Sequence, residues 1–529
     1  MRLTRLIPAM PATMAVPVLT AIAVLLNFNL ILPSGFCLTT DEAFSWRVAS
    51  QPNISQLIAM TGKDVHPPLY YLALSGWMAV FGQSEIALRS LSGAFGVATV
   101  LATYWYAIVW IGVPGRRGGT VPAFWAAVLV ALSLTQVSMA HFARMYNLMS
   151  LLALLTCGLL LSALRRPRGR VIWILYAITA SLLVYTHNYG LYLVTGQALW
   201  VGWEVSCQAD RAVRRVTALS AAMSFVSIGV SYLPWVPWLR LQLKLVTADY
   251  WIKPLSWKSL ATVPVQVLSV PLNELPPIAW HVAIGAIVLT LLILWPWRKA
   301  AGERQTLCVF GLHVFGIAAS ALVAGRSLFV PRYLIYLLPL CAIPVSYWIC
   351  QIGDRIVFRA VLAWLVFMAI YVLASTVETY RPVTEEGADL RRVVAEILSN
   401  SNSDEPVVTT SRSLYLVLKY YMERHRPGQP CSLFDPELQA ASERHLVFAS
   451  GMRTADLWVP NPAEVSRQRC WLVADGIRLW EPPGLELASA RSYVIFLPSG
   501  FDTLVRVAEY RPSAARGSGR TPTTGGGKP

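Results

Sequence analysis

Runs of about twenty apolar residues recur along this chain, and every second connection between them is short and rich in arginine or lysine. A helix needs ~20 apolar residues to cross the hydrocarbon core of a bilayer, and short cytoplasmic loops carry the positive charge. On that criterion spans fall near Met10 to Leu32, Ile86 to Gly112, Val121 to Ser138, Tyr146 to Leu164, Val171 to Tyr185 and Gly190 to Val205. They continue near Val216 to Trp235, Pro277 to Trp297, Thr306 to Gly325, Tyr333 to Ile352 and Ile356 to Thr376. The expected fold class is thus an α-helical polytopic membrane protein of about 11 spans. The basic clusters Arg2/Arg5, Arg116/Arg117, Arg165 to Arg170, Arg211/Arg214/Arg215, Arg298/Lys299/Arg304 and Arg355/Arg359 all fall on one side. This places the N-terminus in the cytoplasm and makes the chain a multi-pass protein of the plasma (inner) membrane.

Composition supports this reading. The 529 residues are 55% hydrophobic and 14% charged, and the mean hydropathy is +0.51, outside the soluble globular range. The net charge of +16 does not imply nucleic acid, because the cations sit in short clusters between apolar runs, where they meet anionic lipid headgroups. The first apolar run follows Arg2 and Arg5 but lacks a small-x-small cleavage site, so it reads as a retained anchor. Most cysteines lie inside apolar runs as small core residues; Cys431 and Cys470, in a polar region, are a candidate disulfide.

The opposite loops differ in kind. The first, residues 33–85, opens with Asp41 and Glu42 and continues through Asp64 and His66-Pro67-Pro68 to Glu85 and Arg89. Asp41 to Ser50 suits a short helix capped by Thr39 or Thr40, with both carboxylates in its favourable first turn. Pro67-Pro68 suits the start of a second helix, LYYLALSGWMAVFG, too short to span and therefore interfacial. Later loops on this face carry His141, Arg144 and Tyr146, then His187 and Asn188, then Lys253, then Arg326 and Arg332. A lone His or Arg at a span end is usually an interface residue. Chance would scatter such groups over both faces, whereas here they share one.

After the last span the composition becomes that of a soluble domain. Residues 1–378 form the membrane module, 379–510 a small extracytoplasmic α/β domain, and 511–529 a disordered basic tail rich in Gly, Ser, Thr and Pro. DLRRVVAEIL and SRSLYLVLKYYM read as helices, and EPVVTTS, HLVFAS, CWLVADG and SYVIFLP as strands. Walker, HExxH and GxSxG motifs are missing from the sequence.

Without a nucleotide-binding loop, energy for a reaction on the far face must arrive with the substrate, and a sugar on a polyprenyl phosphate meets that need. Asp41 is the candidate general base toward an acceptor hydroxyl, with inversion at the anomeric carbon. Glu42 is a candidate to orient the acceptor or hold a divalent cation, the one cofactor the residues suggest. Arg89, Arg144 and Arg332, with Arg326 as a further candidate, suit planar recognition of a phosphate. His66, His187 and Lys253 offer a proton or a positive charge, His141 less so; Tyr146 and Asn188 are secondary candidates beside them.

Asp41-Glu42 in TTDEAFSW, Pro67-Pro68-Leu69 in HPPLYYLALSGWMAVFG, Arg89 in SEIALRSLSG, ARMYNLMSLLALL, WILYAITASLLVYTHNYGLYLVTGQ and PRYLIYLLPL resemble the GT-C glycosyltransferase superfamily. The similarity is to its bacterial O-mannosyltransferase-like and aminoarabinose transferase-like members, of glycosyltransferase family 39 type. It runs over roughly Leu30 to Leu340, and the DLRRVVAEI start of the outer domain looks similar too. The resemblance implies a polyprenyl-phosphate-linked sugar donor, a hexose or pentose such as mannose, and Asp41 as base. It leaves the acceptor open among lipid, glycan and protein. His66 stands where the aminoarabinose transferases place Lys before the Pro pair, so donor identity does not carry over. The other class considered, a transporter or flippase of lipid-linked sugars, favours mid-span charges and inverted repeats, which this sequence lacks.

Overall fold

The computed structural model describes residues 12–28, 37–112, 117–248, 331–350, 390–434, 469–475, 485–496 and 502–512, with a few single positions between 305 and 320. The chain divides into two compact units, one formed mainly by Met1–Pro382 and one by most of the residues from Val383 on. The expected spans Pro277 to Trp297 and Ile356 to Thr376, most of Thr306 to Gly325, the HLVFAS strand, the tail from 513 on, and the candidates Lys253 and Arg326 lie outside the described residues.

The first unit is helical: α1 (Ala12–Phe28), α2 (Thr40–Ala49), α3 (Ile54–Gly62), α4 (Leu69–Phe81), α5 (Glu85–Ile111), α6 (Arg117–Ala131), α7 (Leu134–Ala140), α8 (Tyr146–Arg165), α9 (Arg170–Val184), α10 (Gly190–Cys207), α11 (Arg211–Tyr232), α12 (Val236–Ala248) and α13 (Leu337–Ile349). Among the described residues, three helical stretches are long and apolar enough to cross a membrane: Glu85–Ile111, Tyr146–Arg165 and Arg211–Lys244. Shorter apolar helices include Thr13–Phe28, Thr120–Ala131 and Arg170–Val184. The outer faces of α9 to α11 expose Val171, Ile178, Leu199, Met223 and Val226, as helices surrounded by lipid do.

Two expectations are corrected. The span Val121 to Ser138 is two helices, because the Ser133 side chain accepts the Gln136 amide and starts α7 afresh. The chain after the expected span Val216 to Trp235 continues as a helix: Pro234 and Pro237 lie where a helical turn starts and a missing N–H costs little, so α11 leads through a 3₁₀ turn (Leu233–Trp235) into α12. Polar side chains hold the bundle. Gly96 of α5 has no side chain to separate it from Asn27 of α1 and Asn147 of α8. Asn147 in turn donates to Ser92 O (3.3 Å) and accepts from Gln136 Nε2 (2.8 Å).

The second unit contains α14 (Leu390–Asn400), α15 (Arg412–His425) and a five-stranded sheet ordered β2-β1-β3-β5-β4, from β1 (Val407–Thr409), β2 (Cys431–Leu433), β3 (Cys470–Asp475), β4 (Leu485–Phe496) and β5 (Asp502–Pro512). β1 pairs in parallel with both β2 and β3, and β5 runs antiparallel to β3 and β4. Cys431 and Cys470 are both free thiols. They lie on strands flanking β1, so two strand spacings of ~4.8 Å separate them, beyond the reach of a disulfide.

Candidate active site

The first turn of α2 sets the site. The Thr39 hydroxyl accepts the Glu42 amide, and the Glu42 carboxylate accepts the Thr39 amide (3.0 Å), a reciprocal cap that fixes both carboxylates in space. Successive residues on a helix point about 100° apart, so Asp41 and Glu42 take opposite courses. Glu42 is fully buried and meets Arg89 of α5, Oε1 to Nε at 2.8 Å and Oε2 to Nη2 at 2.9 Å. Its Oε1 also accepts the Ala143 amide (3.2 Å), and Arg89 Nη2 donates to Cys37 O (3.1 Å). The pair therefore fastens α2 and the chain before α8 to α5. Both Glu42 oxygens are engaged by protein donors, and the Arg89 guanidinium lies against Glu42, so the structure places this pair in the packing of α2 on α5. Among the described residues no three His, Cys, Asp or Glu side chains converge on a cation position.

Asp41, one-third exposed, faces two guanidiniums: Arg332 Nη1 at 3.4 Å and Arg144 Nη2 at 4.0 Å. Burial works to raise its pKa, but Arg144 and Arg332 outweigh that and hold it below the usual carboxylate value. Arg144 lies in the short connection between α7 and α8; its carbonyl accepts from Ser92 (3.0 Å), and its Nη1 donates to Tyr71 Oη (3.0 Å) of α4. Arg332 lies in the 3₁₀ turn Pro331–Tyr333 that precedes α13.

His66 and His187 close the other side. The turn before Pro67 is held against the turn between α9 and α10: Asn188 Nδ2 donates to Val65 O (3.0 Å) and the Leu69 amide to Tyr185 O (3.0 Å). Gln242 of α12 braces both turns, accepting from Asn188 (3.2 Å) and donating to Thr61 O (3.2 Å). The two imidazoles thus come to 4.9 Å between ring centroids, each also packed on the Tyr333 ring at 5.7 and 5.0 Å. Tyr333 itself stacks with Tyr146 at 6.1 Å. Burial lowers both imidazoles, with the two arginines adding to it and His187 acting on His66; His187 falls to about 3 and His66 well below its ordinary value.

The structure thus brings Asp41, His66, Arg144, Tyr146, His187 and Arg332 to one place. Asn188 positions a turn rather than lining the site. His141 sits apart, beside Arg89 and the backbone of Leu26 and Asn27, with its pKa pushed down to about 4 by burial and by Arg89. Asp64, Tyr71, Tyr333 and Gln242 had no role in the sequence reading. Asp64 carried a signal, a carboxylate two residues before His66; its pKa is raised to about 6, burial outweighing Arg144 and the amides of Val65 and His66. Five buried polar atoms around this site have no hydrogen-bond partner: Asp64 Oδ2, His66 Nδ1, Arg144 Nε, Tyr146 Oη and His187 Nε2. Each such atom costs about 1–3 kcal/mol, a cost that a bound ligand offsets by supplying the partners.

Helices long and apolar enough to cross a membrane, with a buried polar cluster in the loops between them, define a membrane protein with an enclosed polar site. No protein-family model matches the sequence, and no curated protein matches it. Solved structures do match. ArnT from Cupriavidus metallidurans in the apo state superposes with a TM-score of 0.60 at 14% identity, over 94% of this chain and 98% of that one. The same protein bound to undecaprenyl phosphate gives 0.58 at 13% identity, with the same coverage. An Archaeoglobus fulgidus oligosaccharyltransferase tethered to an acceptor peptide gives 0.52 at 12% identity, over 87% of this chain and 68% of that one. The chain shares the fold of these proteins.

Proposed function

We propose that this protein is an integral-membrane glycosyltransferase that moves a hexose or pentose from a polyprenyl-phosphate donor to an extracytoplasmic acceptor, with inversion. The observation that carries the proposal is the Asp41 carboxylate standing between Arg144 and Arg332 beside buried, unpartnered polar atoms. Two guanidiniums suit the phosphate, which leaves with the negative charge of the departing oxygen. Asp41 is the group exposed enough to meet an acceptor hydroxyl. Before the donor arrives, the arginines hold Asp41 ionised and weakly basic. A phosphate drawn onto Arg144 and Arg332 competes for those cations, so the carboxylate gains basicity as the donor docks. The acceptor oxygen then attacks the anomeric carbon, its proton passes to Asp41, and the carbon–oxygen bond to phosphate breaks. The binding of undecaprenyl phosphate by a protein of this fold supports a polyprenyl phosphate as the leaving group. The basic loops on the opposite side support an extracytoplasmic site.

Transfer of radiolabelled sugar by membranes carrying the wild type and Asp41→Asn is the test. Loss of a positioned general base lowers the rate by about 10²–10⁴-fold. Undiminished transfer by Asp41→Asn removes Asp41 as the base.

A further inference from the structure

His66 and His187 are buried at 2% exposure each, in contact with one another, and neither has a place in the acid–base step assigned to Asp41. The Tyr189 amide donates to His187 Nδ1 (3.1 Å), so in the neutral ring the proton sits on Nε2. That Nε2 has no partner, and His66 Nδ1 has none either. We propose that the His66–His187 pair is a proton-carrying part of the phosphate cradle, taking up a proton as the polyprenyl phosphate docks and giving it to the leaving phosphate oxygen. This rests on the polyprenyl-phosphate reading above.

The charges around the pair determine its behaviour. The cations acting on it are Arg144, from the chain before α8, and Arg332, from the turn before α13. Tyr333 and Tyr189 supply the ring walls. Asp41 is paired with the two arginines, and Asp64 accepts the amides of Val65 and His66; the charged groups that shift the two imidazoles are Arg144 and Arg332. Two cations next to two imidazoles keep the pair neutral in the free protein, in accord with the lowered values of both rings. A phosphate seated on Arg144 and Arg332 offsets the two charges that hold the imidazoles neutral, a phosphodiester by one unit and a monophosphate dianion by two. Among the described residues the charges that shift the imidazoles are cationic, so an anion seated on those cations favours the imidazolium form. At 4.9 Å between centroids the rings hold one proton between them and not two, since two imidazoliums so close would repel.

The balance over a turnover is complete. The bond from the anomeric carbon to the phosphate oxygen breaks with its electron pair on oxygen, and the acceptor oxygen bonds to that carbon. The acceptor proton goes to Asp41, and the imidazolium proton goes to the phosphate oxygen. Solvent takes the proton from Asp41 and supplies the next one to the histidine pair.

The test is titration calorimetry of the purified full chain in detergent micelles with farnesyl phosphate, a short polyprenyl monophosphate, at pH 7.5. There the phosphate, whose second pKa is about 6, is already a dianion. The apparent enthalpy is measured in buffers of different ionisation enthalpy. Uptake of about one proton per phosphate bound is expected in the wild type, with affinity weakening toward about tenfold per pH unit as pH rises. In His66→Gln/His187→Gln, which keeps neutral hydrogen-bonding groups but cannot titrate in this range, binding at pH 7.5 weakens and the proton uptake per phosphate bound disappears. Each single glutamine variant is the fallback should the double variant fail to fold, and each is expected to reduce the uptake. Binding by the wild type without proton uptake overturns the inference and leaves the phosphate reading standing. Uptake that survives intact in the glutamine variants overturns the inference as well. Failure of the wild type to bind farnesyl phosphate overturns both.

Discussion

Replacing Arg89 by leucine separates scaffold from chemistry in the first loop. Glu42 and Arg89 are 0% and 1% exposed and share two hydrogen bonds of 2.8 and 2.9 Å. Removing the arginine leaves the carboxylate with only the Thr39 cap and the Ala143 amide. Breaking a buried pair from one side costs about 3–5 kcal/mol, because an uncompensated charge stays in the interior. In a unit this large, ~2 °C per kcal/mol predicts a Tm lower by roughly 6–10 °C. Glu42→Met/Arg89→Leu removes both charges and should recover much of that loss, as replacement of buried pairs by apolar residues does. Thermal unfolding of detergent-solubilised protein, followed by tryptophan fluorescence, reads the stability; sugar transfer per folded molecule reads the chemistry. The double variant should retain far more transfer than Asp41→Asn. A Glu42→Gln protein that melts like the wild type yet transfers as poorly as Asp41→Asn would refute the assignment, since Glu42 would then act on substrate.

Two further outcomes follow from the charges of the site. The Asp64 carboxyl titrates at about 6 when folded against 3.8 in a free chain, so the folded state binds its proton more tightly. The stability it contributes is full below pH ~4 and is lost as pH rises through 6. Asp64→Asn should therefore raise stability at pH 7.5 by up to roughly 3 kcal/mol and leave it nearly unchanged at pH 4, as thermal melts at both values will read; equal effects at the two values would show that Asp64 is not held protonated. Arg332→Gln removes one of the two cations that keep Asp41 ionised, so the acid limb of the transfer rate should move up toward the ordinary carboxylate value. A limb that stays in place would mean that Arg332 does not act on Asp41.

Much of the site was legible because each of its residues lies at an element boundary. Asp41 follows a threonine cap, His66 precedes a proline pair, Arg144 and Arg332 precede helices, and His187 fills a tight turn. Boundaries are what the apolar periodicity reveals. The division of labour between Asp41 and Glu42 was hidden, since it depends on which side of α2 meets α5, and a partner 47 residues away leaves no local trace. Gln242 was hidden for another reason: it lies beyond the expected span Val216 to Trp235, on a helix that a 3₁₀ turn joins to that span. Asn188 had the right location, but its amide reaches backbone and Gln242 rather than the site.

Adjacent carboxylates with the same chemistry thus have opposite fates, and the reason is geometric. Glu42 points into a helix interface, where one guanidinium matches it fully and burial makes the pair permanent. Asp41 stays one-third exposed, and two guanidiniums approach it at 3.4 and 4.0 Å without closing the bidentate geometry seen at Glu42. A contact so incomplete is weak enough to give way to a better anion, and a phosphodiester, whose two free oxygens share its charge and can each meet a guanidinium, is such an anion. The first pair stabilises the loop that carries the second, since Glu42 accepts the amide of Ala143, next to Arg144. On the proposed reaction, a rigid ion pair holds an exchangeable one in place. The base at Asp41 is released only when the donor that needs it has taken its cations.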